Sequence, residues 1–249
     1  MSQLALVTGA SSGFGAAITR RLVRDGYRVI AAARRAERLR ARAAELGDAV
    51  LPFALDVTDK NAVSALPDSL PASWREVEIL VNNAGLALGV APAQEAKLAD
   101  WETMLATNVA GVMRMSRALL PGMVARDRGL IVNLGSTAGT YPYPGGNVYG
   151  ASKAFVAHFS LNLHADLIGT GVRVTCIEPG LVGGTEFSQI RLGSAEKAQA
   201  VYAGTQPLTA DDVAEAVAWV AGLPPHVNIN RIELMPTCQA SGPLAIKRA

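Results

Sequence analysis

The sequence predicts an α/β fold, with one domain over residues 1–249 built on a doubly wound parallel sheet. The first observation is a set of short runs rich in Val, Ile, Leu and Ala with little alternation, which is typical of strands buried on both faces of a parallel sheet. The second is that longer helical patterns lie between these runs, as right-handed strand–helix–strand crossovers require. A length of 249 residues suits a single α/β domain.

The elements follow in chain order. The predicted strands are Leu4–Thr8, Tyr27–Ala33, Ala49–Leu55, Val77–Asn82, Leu130–Leu134, Val172–Ile177 and Asn230–Met235. The predicted helices cover about 14–25, 35–46, 59–66, 99–126, 148–168 and 209–221. Gly26 and Gly47 support two of these boundaries, because glycine commonly ends a helix. Thr209 and Asp212 have the spacing of a capping box at the start of the last helix.

Two parts of the chain have no clear period. Residues 181–207 are expected to be irregular. A long loop in a compact domain often covers a binding site, so we expect this segment to cover the substrate. The tail after Pro236 is left unassigned.

Composition excludes several classes of protein. Half of the residues are apolar and 18% are charged, so the chain is not disordered. Lys and Arg total 23 and Asp and Glu 21, and a net charge of +2 does not indicate nucleic-acid binding. The sequence has no apolar run long enough for a membrane span, and its N-terminus lacks the basic region of a signal peptide. Cys176 and Cys238 are too few for a disulfide framework and lack metal-ligand spacing, so we expect a soluble cytoplasmic protein without a catalytic metal.

A glycine-rich turn follows the first predicted strand and precedes the first predicted helix. The unpaired N–H groups and positive dipole of a helix N-terminus favour a pyrophosphate there, as in Rossmann-like folds. The spacing is Gly-x3-Gly-x-Gly rather than G-x-G-x-x-G, and glycines of this kind can also serve the turn alone. The candidate nucleotide-binding residues in this turn are Gly9, Ser11, Ser12, Gly13, Phe14 and Gly15.

The end of the second predicted strand distinguishes two dinucleotides. A carboxylate at this position binds the ribose 2′-OH of NAD, whereas arginine accommodates the 2′-phosphate of NADP. The strand ends at Arg34 and Arg35, with Arg38 and Arg40 just beyond and no carboxylate at the strand end. The alternative is a solvated helix start, but cations are disfavoured in a first turn. We therefore expect NADP(H), bound by Arg34, Arg35 and Arg40.

A candidate proton-transfer group lies in the helical pattern 148–168. Tyr149 and Lys153 are four residues apart and so share one helix face. Bringing a phenol from a pKa of about 10 to near 7 takes about 4 kcal/mol, which a nearby cation in a dry site can supply. Ser136 lies just past the strand Leu130–Leu134, at the edge where doubly wound sheets bind ligands. Asn108 interrupts a helical pattern. Either the helix has a local kink there that holds a water, or Asn108 is a plain surface residue.

These motifs, taken together and in order, resemble those of the short-chain dehydrogenase/reductases over residues 4 to about 185. The motifs are Thr8-Gly9-x3-Gly13-x-Gly15, Asp56-Val57, Asn82-Asn83-Ala84-Gly85, Asn108, Ser136, Tyr149-x3-Lys153 and Pro179-Gly180. The resemblance implies hydride transfer between NAD(P) and a carbonyl/alcohol pair. It implies that Tyr149 is the acid/base, that Ser136 polarises the substrate oxygen, that Lys153 lowers the tyrosine pKa and holds the nicotinamide ribose, and that Asn108 supports a water relay.

The same resemblance implies cofactor contacts elsewhere along the cleft. Asp56 and Val57 are expected near the adenine. The residues expected to line the cleft are Asn83, Ala84 and Gly85, and those expected to cover the nicotinamide are Pro179, Gly180, Val182 and Thr185.

Other segments resemble one subfamily, the NADP-dependent 3-hydroxy acid dehydrogenases, over nearly the whole chain. These segments are 82–89, 145–150, 178–187 and 226–230. The subfamily implies oxidation of serine, allo-threonine and related acids, reduction of malonic semialdehyde, and a homotetramer. Sulfoacetaldehyde reductases are similar and remain an alternative. A non-catalytic NADP-binding sensor is disfavoured because the serine, tyrosine and lysine are all present, and a nucleotide-sugar epimerase because the chain has no room for its larger substrate domain.

Substrates of this kind are small anions and need a cationic partner. Arg191 in the segment 181–207 is the candidate, and a solvated surface arginine is the alternative. Tyr141, Tyr143 and Asn147 lie between Ser136 and Tyr149 and are expected to line the substrate pocket, or else to pack within the loop. The remaining residues with reactive side chains, expected only in packing or interfaces, are His158, His164 and Cys176.

Overall fold

A computed structural model describes residues 3–242 and contains one seven-stranded sheet in which every strand pair is parallel. The strands are β1 (Leu4–Thr8), β2 (Arg28–Ala33), β3 (Val50–Ala54), β4 (Ile79–Asn82), β5 (Gly129–Leu134), β6 (Val172–Pro179) and β7 (Arg231–Leu234). Their order is β3-β2-β1-β4-β5-β6-β7, so the chain turns back between β1 and β4. Val7 of β1 pairs with Ala31 on one side and Val81 on the other. The predicted Rossmann-like doubly wound fold is therefore confirmed.

Helices cover both faces of the sheet. They are α1 (Gly13–Arg24), α2 (Ala36–Leu46), α3 (Lys60–Ser69), α4 (Leu98–Leu105), α5 (Val112–Ala125), α6 (Asn147–Asp166), α7 (Phe187–Leu192), α8 (Ala195–Tyr202) and α9 (Ala210–Ala221). Ala5 and Val7 of β1 pack with the helices α1, α2 and α9, whereas Leu4 and Leu6 pack on the other face with α3, α5 and α6. Apolar side chains are needed on both faces, which is why the strands show little alternation.

The last helix begins as the sequence predicts. The hydroxyl of Thr209 accepts from the backbone N–H of Asp212, and the carboxylate of Asp212 accepts from the N–H of Thr209, which completes a capping box. Residues 1–2 and 243–249 of the predicted domain lie outside the described residues. The second range is most of the tail that follows Pro236. In the described part, no helix is both long enough and apolar enough to cross a membrane.

Two predicted elements differ from the structure. The helical pattern 99–126 is not one helix, because a π-helical turn over Ala106–Gly111 separates α4 from α5. The segment 181–207 is not irregular, because it contains α7 and α8. Gly193 ends α7 in the left-handed region at φ 65°, and the Ser194 side chain caps α8. These helices of six and eight residues are too short to produce a clear period in the sequence.

Candidate active site

Two cavities open at the carboxyl edge of the sheet, beside the point where the chain turns back. We call the first, of about 350 Å³, the turn arm, because it runs from the glycine turn to Lys153. We call the second, of about 320 Å³, the tail arm, because it runs from Ser136 to the tail residue Gln239. Tyr149 and Phe187 line both arms, so the two form one cleft that bends around the tyrosine.

The glycine turn leaves the N-terminus of α1 open to the turn arm. Gly9 and Gly13 have φ values of 67° and 51°, which favour glycine. Ser12 precedes the helix without capping it through its side chain, and the first turn contains no acidic residue. The first N–H groups are therefore available to an anion. Gly15 does not line the cleft, because its role is packing: a Cβ there would lie 2.4 Å from the carbonyl oxygen of Gly9.

The predicted arginines occupy three different environments. Arg34 lines the turn arm, and within residues 3–242 its side chain makes no hydrogen bond or ion pair. Arg35 also lines the turn arm, but its guanidinium donates from Nε to Ser11 Oγ over 3.1 Å and from Nη2 to Ser12 Oγ over 2.6 Å. Arg40 does not line the arm, because it pairs with its neighbour Glu37. The prediction that Arg40 faces the cofactor site is therefore not supported by its position.

Glu186 lies at the mouth of the turn arm and was not singled out from the sequence. Its carboxylate accepts from Arg38 Nη1 over 2.7 Å and from Arg35 Nη1 over 2.9 Å. Hydrogen bonds from Arg38 and Arg35 lower the pKa of Glu186 to about 2. Arg38 lies one helical turn after Arg35, and this spacing is the signal that could have ranked it above Arg40.

Strand ends form the floor of the turn arm. The hydroxyl of Thr8 accepts from the N–H groups of Asn83 and Ala84 over 3.0 and 2.9 Å, which ties the ends of β1 and β4 together. Asp56 and Val57 line the same arm. Burial raises the pKa of Asp56, but hydrogen bonds from Thr58 and the nearby charge of Arg34 together outweigh it and leave the pKa below its usual value.

The candidate catalytic residues meet where the two arms join. Tyr149 and Lys153 lie one turn apart on α6 and are buried, and Lys153 Nζ donates to the carbonyl of Leu134 over 2.7 Å. Ser136 lines the tail arm beside Tyr149, where its hydroxyl accepts from the N–H of Ala138 over 3.1 Å. The structure therefore brings together three of the residues predicted to be catalytic: Ser136, Tyr149 and Lys153.

Burial dominates the electrostatics of this group. It raises the pKa of Tyr149 to about 12, although the Ser136 hydroxyl and the Arg191 guanidinium act in the opposite direction. Burial lowers the pKa of Lys153 to about 8. The phenol is therefore protonated at neutral pH in the ligand-free protein, and a further positive charge is needed for it to act as a base.

Asn108 lies in the π-helical turn and does not line either arm. Its amide is fully engaged: Oδ1 accepts from the N–H of Leu86 over 2.9 Å, and Nδ2 donates to the carbonyl of Leu86 over 2.8 Å and to Ser152 Oγ over 3.1 Å. The structure has a π-helical turn at the position where the sequence predicts a kink. The side chain anchors this turn to the loop after β4 and, in this structure, has no amide hydrogen left for a water.

The substrate candidates differ in position. Arg191 lines the tail arm, donates to the carbonyls of Gly89 and Gly145 over 3.2 and 3.1 Å, and lies 5.5 Å from the centre of the Tyr149 ring. Asn147 does not line the arm, because its amide donates to the carbonyl of Ala91 over 3.2 Å. The predicted residues that do line the tail arm are Ser136, Tyr141, Tyr143, Pro179, Gly180, Val182 and Thr185.

The tail contributes a residue that the sequence did not suggest. Gln239 lines the tail arm, and its Oε1 accepts from the N–H of Leu181 over 2.7 Å. Its amide lies against Gly180, where a Cβ would come within 2.4 Å of Oε1. No period or motif in the tail marks this contact, which joins residues 58 positions apart.

Comparisons with known proteins show the family of the chain. A family model described as short chain dehydrogenase matches residues 3–193. The chain is 58% identical over 247 residues to an NADP-dependent 3-hydroxy acid dehydrogenase of Salmonella typhi, covering 99% of this chain and 100% of the relative. It is 52% identical over 241 residues to serine 3-dehydrogenase of Agrobacterium fabrum, covering 96% of each. A solved closed form of serine dehydrogenase complexed with NADP+ matches at a TM-score of 0.95 and 56% identity, over 99% of this chain and 100% of that one. With this fold, this family match and these relatives, the chain belongs to the short-chain dehydrogenase family.

Proposed function

We propose that this protein is an NADP(H)-dependent dehydrogenase of small 3-hydroxy acids. The substrates we propose are L-serine, L-allo-threonine and the pair 3-hydroxypropionate/malonic semialdehyde. One observation carries the proposal: Ser136, Tyr149 and Lys153 meet where the turn arm joins the tail arm, so a cofactor in one and a substrate in the other would face the same phenol. The names of the relatives from Salmonella typhi and Agrobacterium fabrum support it.

The residues of the turn arm fit NADP(H). The uncapped N-terminus of α1 suits a pyrophosphate, and the free guanidinium of Arg34 suits a 2′-phosphate. When bound, NADP(H) supplies the hydride donor or acceptor. The residues we propose as its wall in the turn arm are Gly9, Ser11, Ser12, Gly13, Phe14, Arg34, Arg35, Asp56, Val57, Asn83, Ala84, Gly85, Tyr149, Lys153 and Thr185. Pro179, Gly180 and Val182 line the tail arm, and we propose that they cover the nicotinamide from that side.

Proton transfer is the task of the side chains at the junction. In the reducing direction, Tyr149 gives its phenolic proton to the carbonyl oxygen as that oxygen gains negative charge, and Ser136 donates a hydrogen bond to the same oxygen. In the oxidising direction, the phenolate of Tyr149 takes the proton of the substrate hydroxyl. Lys153 favours the phenolate because it is mostly protonated at pH 7, with a pKa of about 8.

A water relay at Asn108 remains part of the proposal, in a modified form. The side chain is engaged by Leu86 and Ser152, so it positions the π-helical turn rather than the water itself. A π-helical turn disrupts the regular backbone hydrogen-bond ladder, and such turns are frequent at functional sites. We propose that a main-chain carbonyl of this turn accepts the relay water.

Recognition of the substrate anion is proposed for Arg191. A guanidinium has five donor hydrogens, and Arg191 commits only Nε and Nη2 to backbone carbonyls. The remaining donors are available to an acid group in the tail arm. A carboxylate and a sulfonate both fit this description, so sulfoacetaldehyde reduction is the second candidate function.

Assembly and location complete the proposal. Leu98, Leu105 and Met113 on α4 and α5 are large apolar side chains exposed at 65%, 45% and 43%, and a second subunit would bury such groups. We propose that this face contributes to a homotetramer, which light scattering after size-exclusion chromatography would test. Two free thiols, Cys176 and Cys238, are in keeping with a reducing cytoplasm.

A substrate panel tests the proposed function directly. Initial rates are measured for L-serine, L-allo-threonine and 3-hydroxypropionate with NADP+ and NAD+, and for sulfoacetaldehyde with NADPH and NADH. We expect kcat/KM to be highest for one of the hydroxy acids and at least about tenfold higher with NADP+ than with NAD+. A preference for sulfoacetaldehyde would support the second candidate. The absence of turnover on the whole panel, with NADPH still bound, would support a cofactor-binding sensor and contradict the proposal.

A further inference from the structure

Three consecutive residues connect the two ends of the cleft. Thr185 lies above the glycine turn, 3.7 Å from where a Cβ on Gly13 would be. Phe187 packs on the catalytic tyrosine, with the centroids of the Phe187 and Tyr149 rings 5.6 Å apart. Between them, Glu186 reaches out of the segment to Arg35 and Arg38, at the end of the turn arm where we propose that the adenosine of the cofactor binds. The segment that covers the junction is therefore tied to the opposite end of the cleft.

The tie is a continuous set of polar contacts, which we call the Glu186 cluster: Glu186, Arg35 and Arg38. The carboxylate uses both oxygens, one for each guanidinium. Arg35 is itself fixed by the hydroxyls of Ser11 and Ser12. Charge-assisted bonds between several groups hold a geometry better than one exposed ion pair does.

We propose that Glu186 is a positioning residue that seats α7 and Phe187 over Tyr149 through Arg35 and Arg38. This inference rests on the proposed function only in taking NADP(H) as the cofactor. Arg34, Arg35 and Arg38 carry three positive charges, whereas Glu186 and a 2′-phosphate carry about three negative ones, so the carboxylate can stay when the cofactor binds. Arg34 is then the arginine that is free to bind the phosphate, and Arg35 is chiefly a support.

Limited proteolysis of the ligand-free protein tests the tie without substrate or cofactor. Trypsin has two cleavage sites in the segment, after Arg191 and Lys197, and mass spectrometry identifies the fragments. We expect Glu186→Gln to speed cleavage at these sites by about tenfold. The matched control is Glu215→Gln, because Glu215 also bonds to two arginines, Arg21 and Arg24, but does so away from the cleft. Cleavage of Glu186→Gln at the rate of wild type and control would overturn the proposal.

Kinetics of the same variants separate positioning from cofactor binding. We expect Glu186→Gln to lower kcat/KM for L-serine by about tenfold while the NADPH dissociation constant changes less than threefold. Arg38→Gln removes one of the two arginines that bind Glu186 and should have a similar effect. The double variant Glu186→Gln/Arg38→Gln should lose no more kcat/KM than Glu186→Gln alone. If Glu186→Gln weakened NADPH binding as much as it lowered kcat/KM, Glu186 would be a cofactor ligand, and the positioning role would be overturned. If the preferred substrate is not L-serine, the proteolysis result still stands.

Discussion

The turn arm and the tail arm are built in different ways. The turn arm is formed mainly by the carboxyl ends of β1 to β5 and the residues that directly follow them, so most of its residues stand next to a strand that the sequence predicts. The tail arm is assembled from distant segments, and its contacts join Arg191 to Gly89 and Gly145 and Gln239 to Leu181. The strand ends therefore set most of one arm, whereas side-chain contacts between distant segments set the other. Cofactor binding should tolerate changes that abolish substrate recognition.

The largest effect is expected where the arms meet. Tyr149→Phe keeps the ring contact with Phe187 but removes the proposed proton donor. Turnover should fall by about 10²–10⁴-fold, which is the usual contribution of general acid catalysis. NADPH binding, measured by fluorescence titration, should be nearly unchanged. Near-normal turnover would remove Tyr149 from the catalytic role, and Lys153→Met serves as the contrast because it should weaken both turnover and NADPH binding.

The second effect concerns the tail arm. Arg191→Ala should lower kcat/KM for an acid substrate by up to about 150-fold, because hydrogen bonds to charged groups contribute up to about 3 kcal/mol. A neutral ketone reduced at the same site should lose less than about tenfold, through the lost bonds to Gly89 and Gly145. Steady-state rates on the two substrates give the comparison. Equal losses on both would mean that Arg191 only supports the loops.

The third effect concerns the turn arm. Arg34→Gln should raise the KM for NADPH about tenfold, because one charge-assisted hydrogen bond contributes about 1.5 kcal/mol. The KM for NADH should hardly change, since it has no 2′-phosphate. Arg40→Gln removes the same charge nearby, but its partner Glu37 holds it away from the cleft, so no change is expected. A larger effect at Arg40 than at Arg34 would restore the sequence prediction and contradict the observed geometry.

The smallest effect is on stability. Lys153 has a pKa of about 8 in the folded protein against 10.5 when exposed, so the unfolded chain binds more protons between these values. The contribution of this group to the free energy of unfolding therefore rises as the pH rises from 8 to 10.5, and it is lowest below pH 8. From pH 7 to pH 9, wild type should gain about 1 kcal/mol relative to Lys153→Met in urea unfolding. A constant difference between the two proteins would show that Lys153 is not perturbed by burial.

The same contrast explains what could be predicted from the sequence. The parallel sheet, the glycine turn and the Tyr149–Lys153 pair depend on periods and short spacings, which are visible in one chain. Asn108 was also visible as a disruption, because asparagine is unfavourable inside a helix. The contact of Glu186 with Arg38 spans 148 positions, and that of Gln239 with Leu181 spans 58. Such pairings depend on tertiary packing, and no local pattern carries them.

The π-helical turn before α5 also constrains how the chain length can vary. A π-helical turn holds one residue more than an α-helical turn, so deletion of one residue within 106–111 would convert it to regular α-helix without rotating α5, whereas deletion of a second residue would rotate all of α5 by about 100°. Met115, Leu119 and Met123, which now face the core, would swing toward solvent. A single deletion would therefore remove the π-helical turn and move Asn108, whereas a longer deletion would also disrupt the packing of α5. The one additional residue in this stretch therefore serves the position of Asn108 and not the packing of α5.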